Sequence, residues 1–295
     1  MRVVTLLPAA TEIVAALGGA GSLVGISHEC DYPASVLGLP RITATSIDPG
    51  ASGHDIDAEV RQLHRAGQPV IGVDAEAIQR LAPDLIITQD LCQVCAVAQG
   101  EVRRLAAVLT RAPTVLALSG RTLEGIWRDI GAVARALDLE PDGDELIAGL
   151  QSRLGRLRAR HRERRSQVVC IEWLDPLYVA GHWVPELVEA AGGQDVAAAA
   201  GSHSARREWA ELQQLSPDLF VIMLCGFGVE RSIRELAGAP MEARAVLHGT
   251  ATWVLDGNAY TSRSGPRVVD GAERLCQAFQ GLATGGMVQW EDHGP

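Results

Sequence analysis

The 295 residues carry 36 acidic against 26 basic side chains, a formal charge of −10, and 47% hydrophobic residues. That length and apolar content suffice for a substantial core, as one large domain or two moderate ones, while the acidic balance excludes a nucleic-acid surface built from clustered Lys and Arg. No stretch approaches the ~18 uninterrupted apolar residues of a membrane span, so the protein is not membrane-embedded, and six cysteines in a chain this long are too sparse for a disulfide framework.

The chain enters an apolar strand over 2–7 at once, which leaves no room for a secretory leader. The expected location is therefore the reduced cytoplasm, with a periplasmic or cell-surface location as the alternative if the natural start lies elsewhere. Ile13, Val14 and Leu17 at helical spacing before Gly18-Gly19 predict a helix over 11–17. A second strand over 22–27 feeds the loop Ser27-His28-Glu29-Cys30-Asp31-Tyr32-Pro33. Further elements are a helix over 57–66, a strand over 69–73, a helix over 75–81 and a strand over 85–88. That last strand leads into Gln89-Asp90-Leu91-Cys92-Gln93-Val94-Cys95, followed by a helix over about 97–109 and a strand over 114–118. These place two soft-ligand loops at the ends of strands, where a parallel sheet presents loops to a ligand.

Between 121 and 166 no strand signal occurs. Leu123, Ile126, Ile130, Val133 and Leu137 share one helical face, and beyond Pro141 so do Leu146, Ile147, Leu150, Leu154 and Leu157. The basic run over 153–165 reads as the solvated face of the second helix. Strand-turn-helix grammar then resumes: a strand over 167–172, a loop-rich stretch over 173–183, a helix over 184–191 stopped by Gly192-Gly193, and a helix over 209–215. A strand over 219–224, a helix near 230–237, a strand over 252–255, a loop over 258–266 and a helix over 267–280 complete the half, ahead of a glycine-rich tail. Segment 79–87 (QRLAPDLII) matches 213–221 (QQLSPDLFV) at an offset of 134 residues (217 − 83), so the halves read as related α/β lobes. The expected division is a first lobe over 1–120, linking helices over 121–166, a second lobe over 167–280 and a flexible tail over 281–295.

Cys92 and Cys95 have CxxC spacing, which serves redox chemistry or half a zinc site. With no second pair in the chain, a metal reading must borrow His28 and Cys30, giving a candidate set of His28, Cys30, Cys92 and Cys95. The bland alternative is packing around a cleft. Trp173, Tyr178 and Trp183 place three of the twelve aromatic residues within eleven positions, beside His182, and large rings lining a loop suit a flat ligand. No GxSxG, Walker A, HExxH or GxGxxG motif stands at a strand-to-helix junction, so no catalysis is expected.

With those residues in view, the chain resembles the periplasmic substrate-binding proteins for cobalamin, haem and ferric siderophores, most closely their cobalamin-binding branch. The resemblance rests on the segments 7–13 (LPAATEI) and 24–33 (VGISHECDYP), on Pro83-Asp84-Leu85-Ile86, Ala191-Gly192-Gly193 and Ser216-Pro217-Asp218, in that order along the chain. It implies two three-layer, Rossmann-like α/β lobes joined by a long rigid interdomain helix, with the ligand in a cleft between them. It further implies that Tyr32 is the aromatic residue that contacts a corrin ring, that Trp173 contacts ligand from the second lobe, and that Glu76 is the carboxylate that docks on an arginine of an ABC permease. The second docking carboxylate aligns on Ala210, flanked by Glu208 and Glu211, and the cysteine loop is absent from the well-known transporter members. Together with the loop residues singled out above, the candidate ligand contacts are Pro8, Ala9, His28, Cys30, Tyr32, Gln89, Cys92 and Cys95 in the first half. In the second half they are Trp173, His182, Trp183, Cys225, Phe227 and Arg263. The expected function is a non-catalytic carrier of cobalamin or a related corrinoid. Alternatives are a haem, ferric-siderophore or bare-metal binder, and a thiol-dependent corrinoid or redox enzyme using Cys92 and Cys95.

Overall fold

The computed structural model describes residues 1–91, 99–109, 112–160 and 165–291. Contacts divide the chain into two compact units, one comprising 1–51, 55–120 and 124–149, the other 52–54, 121–123 and 150–295.

The first unit is built on β1 (Val3–Thr5), α1 (Pro8–Ala16), β2 (Leu23–Gly25), β3 (Thr43–Thr45), α2 (Gly53–Arg65), β4 (Ile71–Val73), α3 (Ala75–Leu81), β5 (Leu85–Gln89), α4 (Gln99–Val108), β6 (Thr114–Leu118) and α5 (Leu123–Ala136). Its main sheet is four parallel strands in the order β2-β1-β5-β6. Successive strand residues face opposite sides. Val4, Leu6 and Ile86 therefore pack with Ile42, Ile71, Ile78 and Val102 on one face, whereas Thr5 points the other way and meets Thr11 of α1, Oγ1 to Oγ1 at 2.6 Å. Helix α1 begins at Pro8, three residues before the expected start, because proline at the first position has a suitable fixed φ and loses no hydrogen bond there. Strand β4 does not join the main sheet. It pairs antiparallel with β3, a strand that the mixed composition around it had concealed.

Helix α6 (Glu140–Arg160) is 21 residues long, about 30 Å at 1.5 Å per residue. The break before it falls at 137–139, with Asp138 at φ 57°, so Pro141 sits inside the first turn of α6 rather than at the boundary.

The second unit follows with β7 (Ser166–Leu174), β8 (Leu177–Val179), α7 (Val184–Ala190), β9 (Gly193–Asp195), β10 (Ala205–Arg206), α8 (Trp209–Gln214), β11 (Leu219–Ile222), α9 (Val229–Ala237), α10 (Met241–Leu247), β12 (Ala251–Leu255), α11 (Gly257–Tyr260), α12 (Val268–Ala278) and β13 (Met287–Trp290). Strands β7, β11 and β12 are parallel neighbours. The nine residues of β7 serve two partners along their other edge: β9, parallel, at Ser166 to Val168, and β8, antiparallel, from Ile171 to Leu174. The stretch expected as loop after residue 172 is thus a hairpin, with Trp173 opposite Tyr178. Nor is the glycine-rich terminus a flexible tail through 290. Gly281 and Gly286 take positive φ, turning the chain so that β13 pairs antiparallel with β12 and Met287 is fully buried.

The internal repeat is one structural device used twice. In the first unit Asp84 donates its backbone N–H to the Arg2 carbonyl and accepts the Arg2 N–H on its carboxylate, each at 2.8 Å. In the second, Asp218 makes the same two bonds to Gln167, again at 2.8 Å. Ala82 and Ser216, two residues earlier, both have positive φ. Each Pro-Asp turn therefore clasps the start of the neighbouring strand and sets its register.

Candidate functional site

In the first unit, β2 runs into the loop 26–33. Ile26 donates to the Pro40 carbonyl and accepts from Ile42, each shorter than 3 Å, and Arg41 fastens the loop itself, its Nη1 donating to the carbonyls of Ser27 (3.0 Å) and Cys30 (2.6 Å). Charge-assisted bonds of this length hold a loop rigidly. Upon that frame sit the two residues singled out for chemistry. Cys30 is buried, its thiol 3.1 Å from Thr11 Oγ1 in a chain that continues to Thr5. His28 is half-buried with Nδ1 2.7 Å from Thr43 Oγ1. Burial, and then the nearby Arg41 charge, hold its pKa below the ordinary value, which keeps the imidazole neutral at pH 7.

Tyr32 follows on the same loop, before a cis peptide to Pro33, and 48% of its surface is exposed. Among the described expected contacts of this unit it is the most exposed, ahead of the half-buried His28. Pro8 and Ala9 are buried in the first turn of α1, and Gln89 is buried at the end of β5. Cys92 and Cys95 lie outside the described residues. Among the described residues no three His, Cys, Asp or Glu side chains stand close enough together to hold a metal ion.

The second unit places Trp173, Cys225, Phe227 and Arg263 at or beyond the carboxyl ends of β7, β11 and β12, whereas His182 and Trp183 follow β8. Trp173 lies 5.3 Å from Phe227, centroid to centroid and tilted by 48°, and its Nε1 donates to the Gly53 carbonyl at 3.2 Å, a residue of the same unit. The Arg231 guanidinium covers the other ring at 3.6 Å from the Phe227 centroid. Cys225, half-buried, donates its backbone N–H to the Glu172 carbonyl next to Trp173. Phe227 accepts from the Asn258 N–H, and Arg263 Nη2 donates to Asn258 Oδ1 at 2.8 Å. Phe227 and Arg263 are themselves buried, so within this group Trp173 and Cys225 keep surface.

His182 leaves β8 in a left-handed conformation, φ 54°, costly for a residue with a Cβ. It is held there by its N–H to the Ser202 carbonyl (2.6 Å) and its own carbonyl accepting from Gly201 (2.8 Å). Its ring meets His203 edge-on at 5.4 Å, and burial, with the nearby His203 and Arg121, lowers its pKa. Trp183 points inward instead: it is buried, and its Nε1 donates to the Thr261 carbonyl at 3.1 Å, the partner a buried indole requires. Thr43, Arg41, Arg231 and His203 leave no signal in the sequence, since none belongs to a motif and each acts through a contact made only in the fold.

Glu76 stands in the first turn of α3, almost fully exposed, with Arg80 one turn away at 3.5 Å. Glu208 and Glu211 are spent on a capping box at the start of α8, with Ala210 exposed between them. No described helix is long and apolar enough to cross a membrane.

Residues 3–241 match the model of a family described as periplasmic binding protein. An uncharacterised ABC transporter substrate-binding lipoprotein of Bacillus subtilis (strain 168) is 22% identical over 291 residues, covering 94% of this chain and 79% of its own. Among solved structures, a periplasmic haem-binding protein of Pseudomonas aeruginosa aligns with a TM-score of 0.73 at 19% identity over 98% of both chains. A periplasmic vitamin B12 binding protein of Vibrio cholerae aligns at 0.64 and 20% identity, over 95% of this chain and 96% of its own. These matches overturn the expected cytoplasmic location: a periplasmic family and a lipoprotein relative point outside the cytoplasm, and the apolar opening residues on which the expectation rested do not outweigh them.

Proposed function

Because the chain belongs to the periplasmic binding protein family, whose members are the substrate-binding components of ABC transporters rather than enzymes, we propose that its cargo is cobalamin or a related corrinoid, handed to a permease. The observation that carries this reading is Tyr32, a large ring left exposed on a loop that Arg41 pins at two carbonyls. A flat macrocycle is held by rigid aromatic surfaces that cost little ordering entropy on binding. In the second unit Trp173, backed by Phe227 and Arg231, supplies a further ring of this kind.

Calorimetric titration with cyanocobalamin, dicyanocobinamide and haem tests it. Saturable corrinoid binding is expected, with Tyr32→Ala weakening it about tenfold, the ~1.4 kcal/mol worth of one aromatic contact. No heat with either corrinoid, or haem bound more tightly than both, would sink the reading.

Glu76 is the proposed docking carboxylate, since it projects into solvent from a short helix with no burial to undo. In a reconstituted transporter, Glu76→Arg should abolish cargo-dependent stimulation of ATP hydrolysis while the titration above is unchanged. Full stimulation by the variant would remove Glu76 from the interface.

A further inference from the structure

The hydrogen bonds around His28 determine which ring nitrogen carries its proton. Thr43 Oγ1, buried, has three polar neighbours: the His28 backbone N–H at 3.0 Å, Ser27 Oγ at 3.0 Å and His28 Nδ1 at 2.7 Å. Ser27, also buried, accepts the Glu29 N–H on its hydroxyl oxygen at 3.4 Å. Each hydroxyl has one hydrogen to give and two lone pairs to receive with.

One assignment satisfies every group. Ser27 donates to Thr43, Thr43 accepts that bond and the His28 N–H, and Thr43 donates its own hydrogen to Nδ1. The ring nitrogen that receives is then unprotonated, and the proton of the neutral imidazole sits on Nε2. If Nδ1 carried the proton instead, Thr43 would have to accept it together with the His28 N–H. Either Ser27 or Thr43 would then keep a hydroxyl hydrogen with no acceptor inside the protein. Stranding a buried donor biases the tautomer ratio about tenfold or more.

Nε2 bonds no described residue and is not sealed from solvent. We infer that Ser27 and Thr43 lock His28 as the Nε2–H tautomer, so that it offers the cargo a hydrogen-bond donor for a peripheral carbonyl or carboxylate oxygen and not a lone pair for its metal. This rests on the small-molecule cargo reading above and deepens it. It also weighs against the expectation that His28 is a metal ligand, because coordination through Nε2 would need the proton moved to Nδ1 against that bias.

Long-range proton–nitrogen correlation spectra of the apo, nitrogen-15-labelled full chain at pH 7.5 read the tautomer directly, with His28 identified as the signal lost in His28→Gln. Nε2 protonated and Nδ1 of acceptor type are expected. Thr43→Ser should keep that pattern, and Thr43→Val should move it to a tautomer mixture. A proton on Nδ1 in the natural protein, or a Thr43→Val pattern identical to it, overturns the lock.

The donor role is read by titration with dicyanocobinamide and, separately, with Zn2+. His28→Ala should weaken corrinoid binding about fivefold, the worth of one neutral hydrogen bond. His28→Gln, whose amide N–H donates from a similar reach, should recover most of that loss. Equimolar Zn2+ should leave the His28 nitrogens in place. Equal losses in both variants, or a Zn2+ shift of Nε2, refute it. Failure of the natural protein to bind any corrinoid would fell the cargo reading alone, since the apo spectra still decide the lock.

Discussion

Gly181→Ala is expected to lower the thermal midpoint followed by circular dichroism by roughly 6–12 °C, a loss of about 3 kcal/mol. A Cβ at that position would lie 2.5 Å from the Ser202 carbonyl oxygen and 2.6 Å from His203 C and Ser204 N. All three are backbone atoms of a segment hydrogen-bonded to His182 on both its N–H and its carbonyl, so no side chain can swing aside to make room. The segment must move, and both bonds that hold His182 in its left-handed conformation go with it. Gly155→Ala is the control. It sits in α6 with nothing within 4 Å of the added methyl, and should raise stability by up to about 1 kcal/mol, the helix propensity gained. A midpoint for Gly181→Ala equal to that of the natural protein would show that the loop yields freely.

Asp195→Asn should stabilise the protein at pH 7.5 and remove a pH dependence near pH 5. The Asp195 carboxyl is pushed up to about 6 by burial, against the two backbone N–H groups, of Ala197 and Ala198, that it accepts at 2.9 Å on Oδ1. Its other oxygen is sealed from water without a hydrogen-bond partner. A carboxyl whose folded pKa is raised contributes stability while it is protonated, below the unfolded value of 3.8. That contribution falls away as pH rises from there through about 6. The shift of roughly two units corresponds to about 3 kcal/mol lost across this window. The asparagine oxygen can keep both backbone bonds without any charge, though its NH2 takes the place of the unpartnered oxygen, so a net gain of about 1 kcal/mol at pH 7.5 is expected. Urea unfolding at pH 4, 5, 6 and 7.5 checks it. Parallel stability profiles for the two proteins would mean that Asp195 ionises in the fold as freely as in water.

The clearest lesson on legibility comes from the two Pro-Asp turns. Their sequence match was visible without coordinates, and the structure gives the reason: a short side chain that caps the start of the next strand needs the same local residues wherever it is used. The hairpin after Trp173 was illegible because Asp175-Pro176 reads as loop whether or not the strands on either side pair. Strand β13 was hidden likewise, its register depending on β12, whose paired residues lie 32 (Leu255↔Met287) to 38 (Thr252↔Trp290) positions earlier.

For the site, residue type proved a poor guide to exposure. Cys30, Trp183, Phe227 and Arg263 all had suitable chemistry, and all are buried, because soft and aromatic side chains that suit a ligand suit a core equally well. Tyr32 differs only in being left on the outside. Thr43, which governs His28, was not legible at all.

What the sequence determined by itself is the architecture: period-two apolar runs closed by turns, doubled by the Pro-Asp repeat, specify two α/β units because each run must bury its faces locally. Tertiary structure alone decided which loop atoms remain available to a ligand. A hydrogen-bond partner fifteen residues away, as Thr43 is from His28, leaves no periodicity or spacing in the chain, yet it sets where the imidazole proton resides. That is a property of two hydroxyl oxygens and two histidine nitrogens meeting in space, and only the fold brings them together.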